Sequence, residues 1–213
     1  MKRISLIVPC LNEEEAIPAF KQEIDRVFKE CLEGYAPELI FVDDGSTDRS
    51  LEMIKKMAEH SPEVKFISFS RNFGKEAAIY AGLEAATGDY AAVMDVDLQD
   101  PPSLLPDMLK AIEKEGYDCA GTRRVTRQGE PLLRSFFARA FYKTIHQISN
   151  TRIVDGARDY KLMTRPVLEA LLSLKEYNRF SKGLYEWVGF RTKWFEYENV
   201  ERVAGETKWS FFK

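Results

Sequence analysis

The residue run with the most chemistry in it is Val93-Met94-Asp95-Val96-Asp97-Leu98-Gln99-Asp100-Pro101, an apolar stretch that opens into three carboxylates. Carboxylates gathered at the exit of a buried strand repel one another and lose hydration, so something must offset them. A hard divalent cation such as Mg²⁺ does so, sharing its shell between one or two carboxylates and substrate phosphates. Asp97 is the candidate direct ligand, with the Gln99 amide oxygen second and Asp95 nearer a nucleotide. Asp100, just before Pro101, reads instead as a helix cap.

Two other acidic clusters share this character. Val42-Asp43-Asp44-Gly45-Ser46 closes another apolar run, where a carboxylate can accept hydrogen bonds from a nucleobase or ribose. Asp44 is the binding candidate; against it, Ser46, Thr47 and Asp48 mark the segment as a turn and helix cap. Asn12-Glu13-Glu14 after Pro9 reads equally as an acidic first helical turn. In Arg71-Asn72-Phe73-Gly74-Lys75, Gly74 permits close backbone approach, and Arg71 or Lys75 can touch a diphosphate. The P-loop order GxxxxGK[ST] is absent. Arg123, Arg124 and Arg127, then Arg202 and Lys208, supply cations for phosphates. Asp155 and Asp159 read either as late site carboxylates or as a cap and an ion pair with Arg158.

The elements that must position these groups alternate. Ile4–Val8 is a β-branched run ended by Pro9. Apolar residues recur at Ile17, Phe20, Ile24, Val27, Phe28 and Cys31 within Glu13–Leu32, which is helical spacing. Strands at Leu39–Val42, Val64–Phe69 and Tyr90–Met94 are separated by helices through Ala58 and over Lys75–Ala86. That alternation predicts an α/β fold: a Rossmann-like, mostly parallel sheet with helices on both faces. Ligands in such sheets bind beyond the carboxyl ends of the strands, where every acidic loop falls. After Gly121 the alternation fades into a helical stripe over Leu132–Ile148, carrying Arg134, Arg139 and Lys143. A short helix over Phe180–Phe190 and a strand at Lys193–Tyr197 follow. The 213 residues suit one domain.

Charge divides the chain: residues 1–122 hold 13 Lys and Arg against 24 Asp and Glu, and residues 123–213 hold 18 against 10. The basic part suits phosphates or an anionic membrane surface. The acidic part, with no aromatic-basic recognition motif, excludes nucleic acid. Two scattered histidines, His60 and His146, disfavour zinc, and no G-x-S-x-G is present. Cys10, Cys31 and Cys119 form no CxxC and are expected to be reduced thiols of a cytosolic compartment. No stretch approaches the ~20 apolar residues that span a bilayer.

The series "VPCLNEEE", "FVDDGSTDRS", "SRNFGKEAAIYAGLEAATGD" and "VMDVDLQDPP" resembles the family 2 glycosyltransferases of GT-A fold. With "GTRR", "DGARDYKLMTRPV", "RFSKGLYEWVGFRT" and "RVAGETKWS", it resembles the polyprenyl-phosphate branch: dolichol-phosphate mannose synthases and bacterial enzymes that glycosylate undecaprenyl phosphate. The resemblance places Pro9, Asn12, Glu14 and Asp44 around the nucleotide and Asp95 and Val96 beside the nucleotide sugar. Asp97 and Gln99 would bind Mg²⁺ or Mn²⁺. Arg123, Arg134, Arg202 and Lys208 would face donor or acceptor phosphates, and Asp159 would lie near the anomeric carbon.

An inverting displacement at C1 is implied, from a UDP-sugar (glucose favoured) or GDP-mannose next, in residues 1–122, to a polyprenyl phosphate held by residues 123–213. A transferase acting on a saccharide or protein, and a non-catalytic nucleotide-sugar-binding module, stay open; so does self-association. Many bacterial relatives continue into two transmembrane helices. The resemblance therefore implies a truncated membrane protein at the cytoplasmic face, with Trp209–Lys213 interfacial in character.

Overall fold

The computed structural model describes residues 1–124, 154 and 156–197. Seven strands form one sheet: β1 (Lys2–Cys10), β2 (Tyr35–Asp43), β3 (Val64–Ser68), β4 (Tyr90–Val93), β5 (Cys119–Arg124), β6 (Ala157–Thr164) and β7 (Thr192–Tyr197), in the order β3-β2-β1-β4-β6-β5-β7. All pairings are parallel except those of β6, which runs antiparallel between β4 and β5. The expected mostly parallel sheet is therefore present.

Alternating side chains of the parallel strands enter two separate cores, which is why these strands read as continuous apolar runs. Ile4, Leu6 and Val8 of β1 and Leu39 and Phe41 of β2 face α1 (Ala16–Cys31), α2 (Ser50–His60) and α4 (Leu105–Glu115). Ile7, Ile40 and Val42 face α3 (Lys75–Ala85), α5 (Arg165–Ser173) and α6 (Ser181–Trp187). Helices thus cover both faces. α1 buries Ile17, Phe20, Ile24, Val27 and Phe28, and the Phe20 ring meets Phe41 edge-on at 6.1 Å. Its outer face is stitched by Arg26 to Glu23 and Glu30.

Several boundaries differ from the sequence reading. β1 runs through Pro9 to Cys10, because β4 stops opposite Ile7 and leaves Pro9 paired on the β2 side, opposite Val42. Arg123 and Arg124 close β5. β6 and α5 were not anticipated. The stripe at Leu132–Ile148, and with it Arg127, Arg134, Asp155, Arg202 and Lys208, lies outside the described residues. No disulfide joins the three cysteines, and Cys10 and Cys119 are buried. Burial pushes the Cys119 thiol up to about 11.

The reversed β6 matters most for position. Lys161 pairs with Val93, the last residue of β4. The amino end of β6 therefore reaches the same rim as the carboxyl ends of β1, β2 and β4, and brings Asp159 beside the Asp95 loop. Gly45 at that rim has φ +74°, and a Cβ on it would stand 2.5 Å from the Arg71 carbonyl carbon. Gly45→Ala is expected to cost about 2 kcal/mol or more from backbone strain and this clash, read as a lower urea midpoint; an unchanged midpoint would contradict the close approach.

Candidate active site

Four loops meet at the rim. The loop after β1 is laced to the one after β2. Asn12, itself at φ 53°, donates its N–H to Ser46 Oγ at 2.9 Å and accepts the Thr47 N–H at 2.7 Å. Glu14 accepts the Arg49 N–H at 2.9 Å and its Nε at 3.1 Å. Asp48 accepts the Ser50 N–H at 2.9 Å, but no side chain caps α2, whose N-cap position is Arg49. Asp44 reaches the next loop: its two oxygens accept the Phe73 and Gly74 N–H groups at 2.7 and 2.9 Å. Its own N–H donates to the Cys10 carbonyl at 2.9 Å. Asp44 thus staples three strand ends together. Its neighbour Asp43 is buried, and its Oδ2 has no hydrogen-bond partner among the described residues. The sequence reading passed over Asp43; the doubled Asp in "VDDGS" was the available signal.

The loop after β4 carries the densest charge. Val96 is buried in the core, so its main chain is what it can offer the site. Asp97 is 5% exposed and accepts the Gln99 N–H at 3.1 Å across Leu98, which is held at φ 57°. A leucine in the left-handed region is strained, and strain of this kind gathers at functional loops. The turn ties the Asp97 carboxylate to the Gln99 main chain.

Lys75, at the start of α3, donates to Asp95 Oδ1 at 2.6 Å and to Asp159 Oδ2 at 2.5 Å. Lys182 of α6, unforeseen from the sequence, stands 3.7 Å from Asp159 Oδ1. Burial pushes the Asp159 carboxyl up, but Lys75 and Lys182 outweigh it and hold the group below the ordinary aspartate range.

Two expectations are corrected here. Asp100 is no cap: the short 3₁₀ turn Pro102–Leu104 has no side-chain cap. Asp100 turns inward at 1% exposure and accepts Arg158 Nε at 3.1 Å and the Tyr197 hydroxyl. Arg158 is therefore paired with Asp100, not with its neighbour Asp159. Burial raises the Asp100 carboxyl above its usual value despite these partners.

The structure thus gathers Asn12, Glu14, Asp44, Lys75, Asp95, Asp97, Gln99 and Asp159, together with Pro9 at the end of β1, on one rim. Arg71 lies over the Phe73 ring at 4.0 Å and donates to the Asn72 carbonyl at 3.0 Å. Arg123 is engaged by Glu196 of β7, on the side of β5 away from β6.

Among the described residues no three His, Cys, Asp or Glu side chains converge as a metal cluster. The donors present are one near-buried carboxylate and an adjacent amide. That set fits a cation that completes its shell with substrate phosphate and water, as Mg²⁺ and Mn²⁺ do.

An acidic rim beyond the carboxyl ends of the strands lies where open α/β sheets bind their ligands. The family model described as glycosyl transferase family 2 matches residues 5–172, and the chain belongs to that family. It is 45% identical over 98% of its length to the putative glycosyltransferase CsbB of Bacillus subtilis. It is 42% identical over 99% to the prophage bactoprenol glucosyl transferase homolog of Escherichia coli, and equally to the bactoprenol glucosyl transferase of Shigella phage SfV. The chain spans 62% of CsbB and 68% of the other two.

Among solved structures, the mannosyltransferase PcManGT of Pyrobaculum calidifontis, in complex with GDP-mannose and Mn²⁺, superposes with a TM-score of 0.61 at 21% identity over 95% of this chain and 57% of its own. Glucosyl-3-phosphoglycerate synthase of Mycobacterium tuberculosis, with Mn²⁺ and UDP-glucose, gives 0.58 at 20% identity over 96% of this chain and 72% of its own. The fold is GT-A. Among the described residues no helix is long and apolar enough to cross a membrane.

Proposed function

We propose that the chain is the catalytic part of an inverting glucosyltransferase that moves glucose from UDP-glucose to bactoprenol (undecaprenyl) phosphate at the cytoplasmic face of a membrane. The observation that carries this is the likeness, at 42% identity over 99% of this chain, to a bactoprenol glucosyl transferase and a homolog of one. The acidic rim supplies the chemistry those names require.

Residues 1–122 hold the donor in this reading. Pro9, Asn12, Glu14 and Asp44 shape the nucleoside end, and Asp95 with the Val96 main chain lies beside the sugar. Asp97 and Gln99 would hold Mg²⁺ or Mn²⁺, which would neutralise the diphosphate as it leaves. Arg71 and Arg123 would be further cations for the diphosphate. Arg134, Arg202 and Lys208, outside the described residues, would hold the acceptor phosphate within residues 123–213.

A lipid phosphate is already ionised at neutral pH, so it can attack C1 without giving up a proton. Asp159, held low by two lysines, is then an orienting and electrostatic group beside the reacting carbon. Catalysis becomes placement plus charge neutralisation. A saccharide or protein hydroxyl acceptor would need a base, and a carboxylate already claimed by two ammonium groups is a weak one.

Calorimetric titration tests the donor side. With Mn²⁺ present, UDP-glucose is expected to bind at least about tenfold more tightly than GDP-mannose, a margin of ~1.4 kcal/mol. Chelation should abolish most of that binding. Tighter binding of GDP-mannose would overturn the choice of donor, and binding indifferent to chelation would overturn the metal.

A further inference from the structure

Lys75 lies at the seam where the sheet changes direction. Its ammonium touches one carboxylate from the loop after β4, Asp95, and one from β6, Asp159, at 2.6 and 2.5 Å. Without a cation between them the two acids would repel and drift apart. Lys182 approaches only the far oxygen of Asp159, at 3.7 Å. Arg158, on the next position of the strand, is engaged by Asp100. The Tyr185 hydroxyl of α6 is buried and has no hydrogen-bond partner among the described residues. Lys75 alone of these groups touches both Asp95 and Asp159.

An ammonium already shared by two anions offers little to a diphosphate, which would have to compete with both. We propose that Lys75 is a positioning residue, not a donor contact: it ties Asp159 to Asp95 and so fixes the Asp159 carboxylate against the sugar end of the β4 loop. The inference rests on the reading of Asp159 as the carboxylate beside the reacting carbon. It turns a presumed phosphate ligand into the brace of that carboxylate. The brace joins the one antiparallel strand to the loop of its parallel neighbour.

A mutant cycle tests it, using Lys75→Met, Asp159→Asn and the double variant. Transfer from UDP-glucose to undecaprenyl phosphate is measured beside calorimetric donor affinity. Lys75→Met is expected to lower kcat by about 100-fold, the scale of an ångström-sized misplacement. Donor Kd should stay within about threefold, and Lys75→Arg should recover part of the loss. In the Asp159→Asn background, Lys75→Met should change kcat by less than about threefold, because the residue it acts through is gone. The full loss repeated in that background would overturn the proposal, as would a rise in donor Kd equal to the fall in kcat.

A readout independent of turnover separates this from the proposed function. The Asp159 carboxyl ¹³C resonance should move on Lys75→Met whether or not the wild type makes glycolipid. A stationary resonance overturns the brace, whereas a wild type that makes no glycolipid contradicts the proposed function alone.

Discussion

Asp97→Ala is expected to lower glucosyl transfer by about a thousandfold or more, which is ~4 kcal/mol of barrier. The carboxylate is nearly buried and fixed by its turn to Gln99. In the proposed reading it is the charge around which the diphosphate is neutralised. Alanine removes that charge and leaves the Gln99 N–H without the Asp97 acceptor. Asp97→Asn keeps the size and an oxygen, and should lie between the two. The check is kcat at saturating UDP-glucose across a Mn²⁺ titration, with circular dichroism confirming that the variants fold. An alanine variant within tenfold of wild type would show that metal-assisted departure does not run through Asp97.

The largest expected effect on stability lies at the opposite end of the sheet. Glu38 is 2% exposed and accepts from Ser5 Oγ, from the Thr87 N–H at 2.9 Å and Oγ1 at 2.6 Å, and from Lys65 Nζ at 2.5 Å. Ser5 in turn accepts the Gly88 N–H at 2.9 Å. One carboxylate therefore joins β1, β2, β3 and the turn before β4. Glu38→Ala would strand the buried Ser5 hydroxyl and take the acceptor from the more exposed Thr87 and Lys65 donors, and is expected to cost about 3 kcal/mol. For a chain of this length that corresponds to a Tm about 10 °C lower.

The same group sets an acid limit. Burial pushes its carboxyl up, but the bonds from Lys65, Ser5 and Thr87 outweigh burial and hold it at about 2. The folded value lies below the unfolded one, so the stabilisation is present above ~4.3 and fades as pH falls from there towards 2. Wild-type Tm should fall more steeply across that window than that of Glu38→Gln. Parallel curves would remove Glu38 from the acid response.

What the sequence disclosed and what it hid have physical causes. β1, β2 and β4 were legible because strands covered on both faces read as unbroken apolar runs. α1 was legible from its three-and-four spacing. The acidic ends of β2 and β4 stood out because carboxylates rarely follow such runs without a task. β6 was hidden because it carries Lys161, 1% exposed, where an apolar residue is expected. That ammonium is matched by Glu186 at 3.2 Å and lies by the Tyr185 and Trp194 rings, none of them near it in sequence.

Ion pairs were misread for a related reason. Arg158 and Asp159 are neighbours in the chain, but successive strand residues point to opposite faces. Arg158 follows the face of Tyr160 and Leu162 towards Asp100, and Asp159 follows that of Lys161 and Met163 towards α3 and α6. The pairing of Lys75 with Asp95 and Asp159 was hidden because both carboxylates lie far along the chain. Asp100 looked like a cap because a Pro follows it, and its partners Arg158 and Tyr197 lie far along the chain, on β6 and β7.

The most direct test of the account is the product itself. The chain, Mn²⁺, UDP-glucose and undecaprenyl phosphate in detergent are incubated together, and the lipid is analysed by mass spectrometry and by NMR of the anomeric proton. The account predicts glucosyl phosphoryl undecaprenol with a β linkage, inverted from the α linkage of the donor. An α-linked product would contradict single displacement at C1, and UDP release without any glycolipid would contradict the lipid phosphate as acceptor.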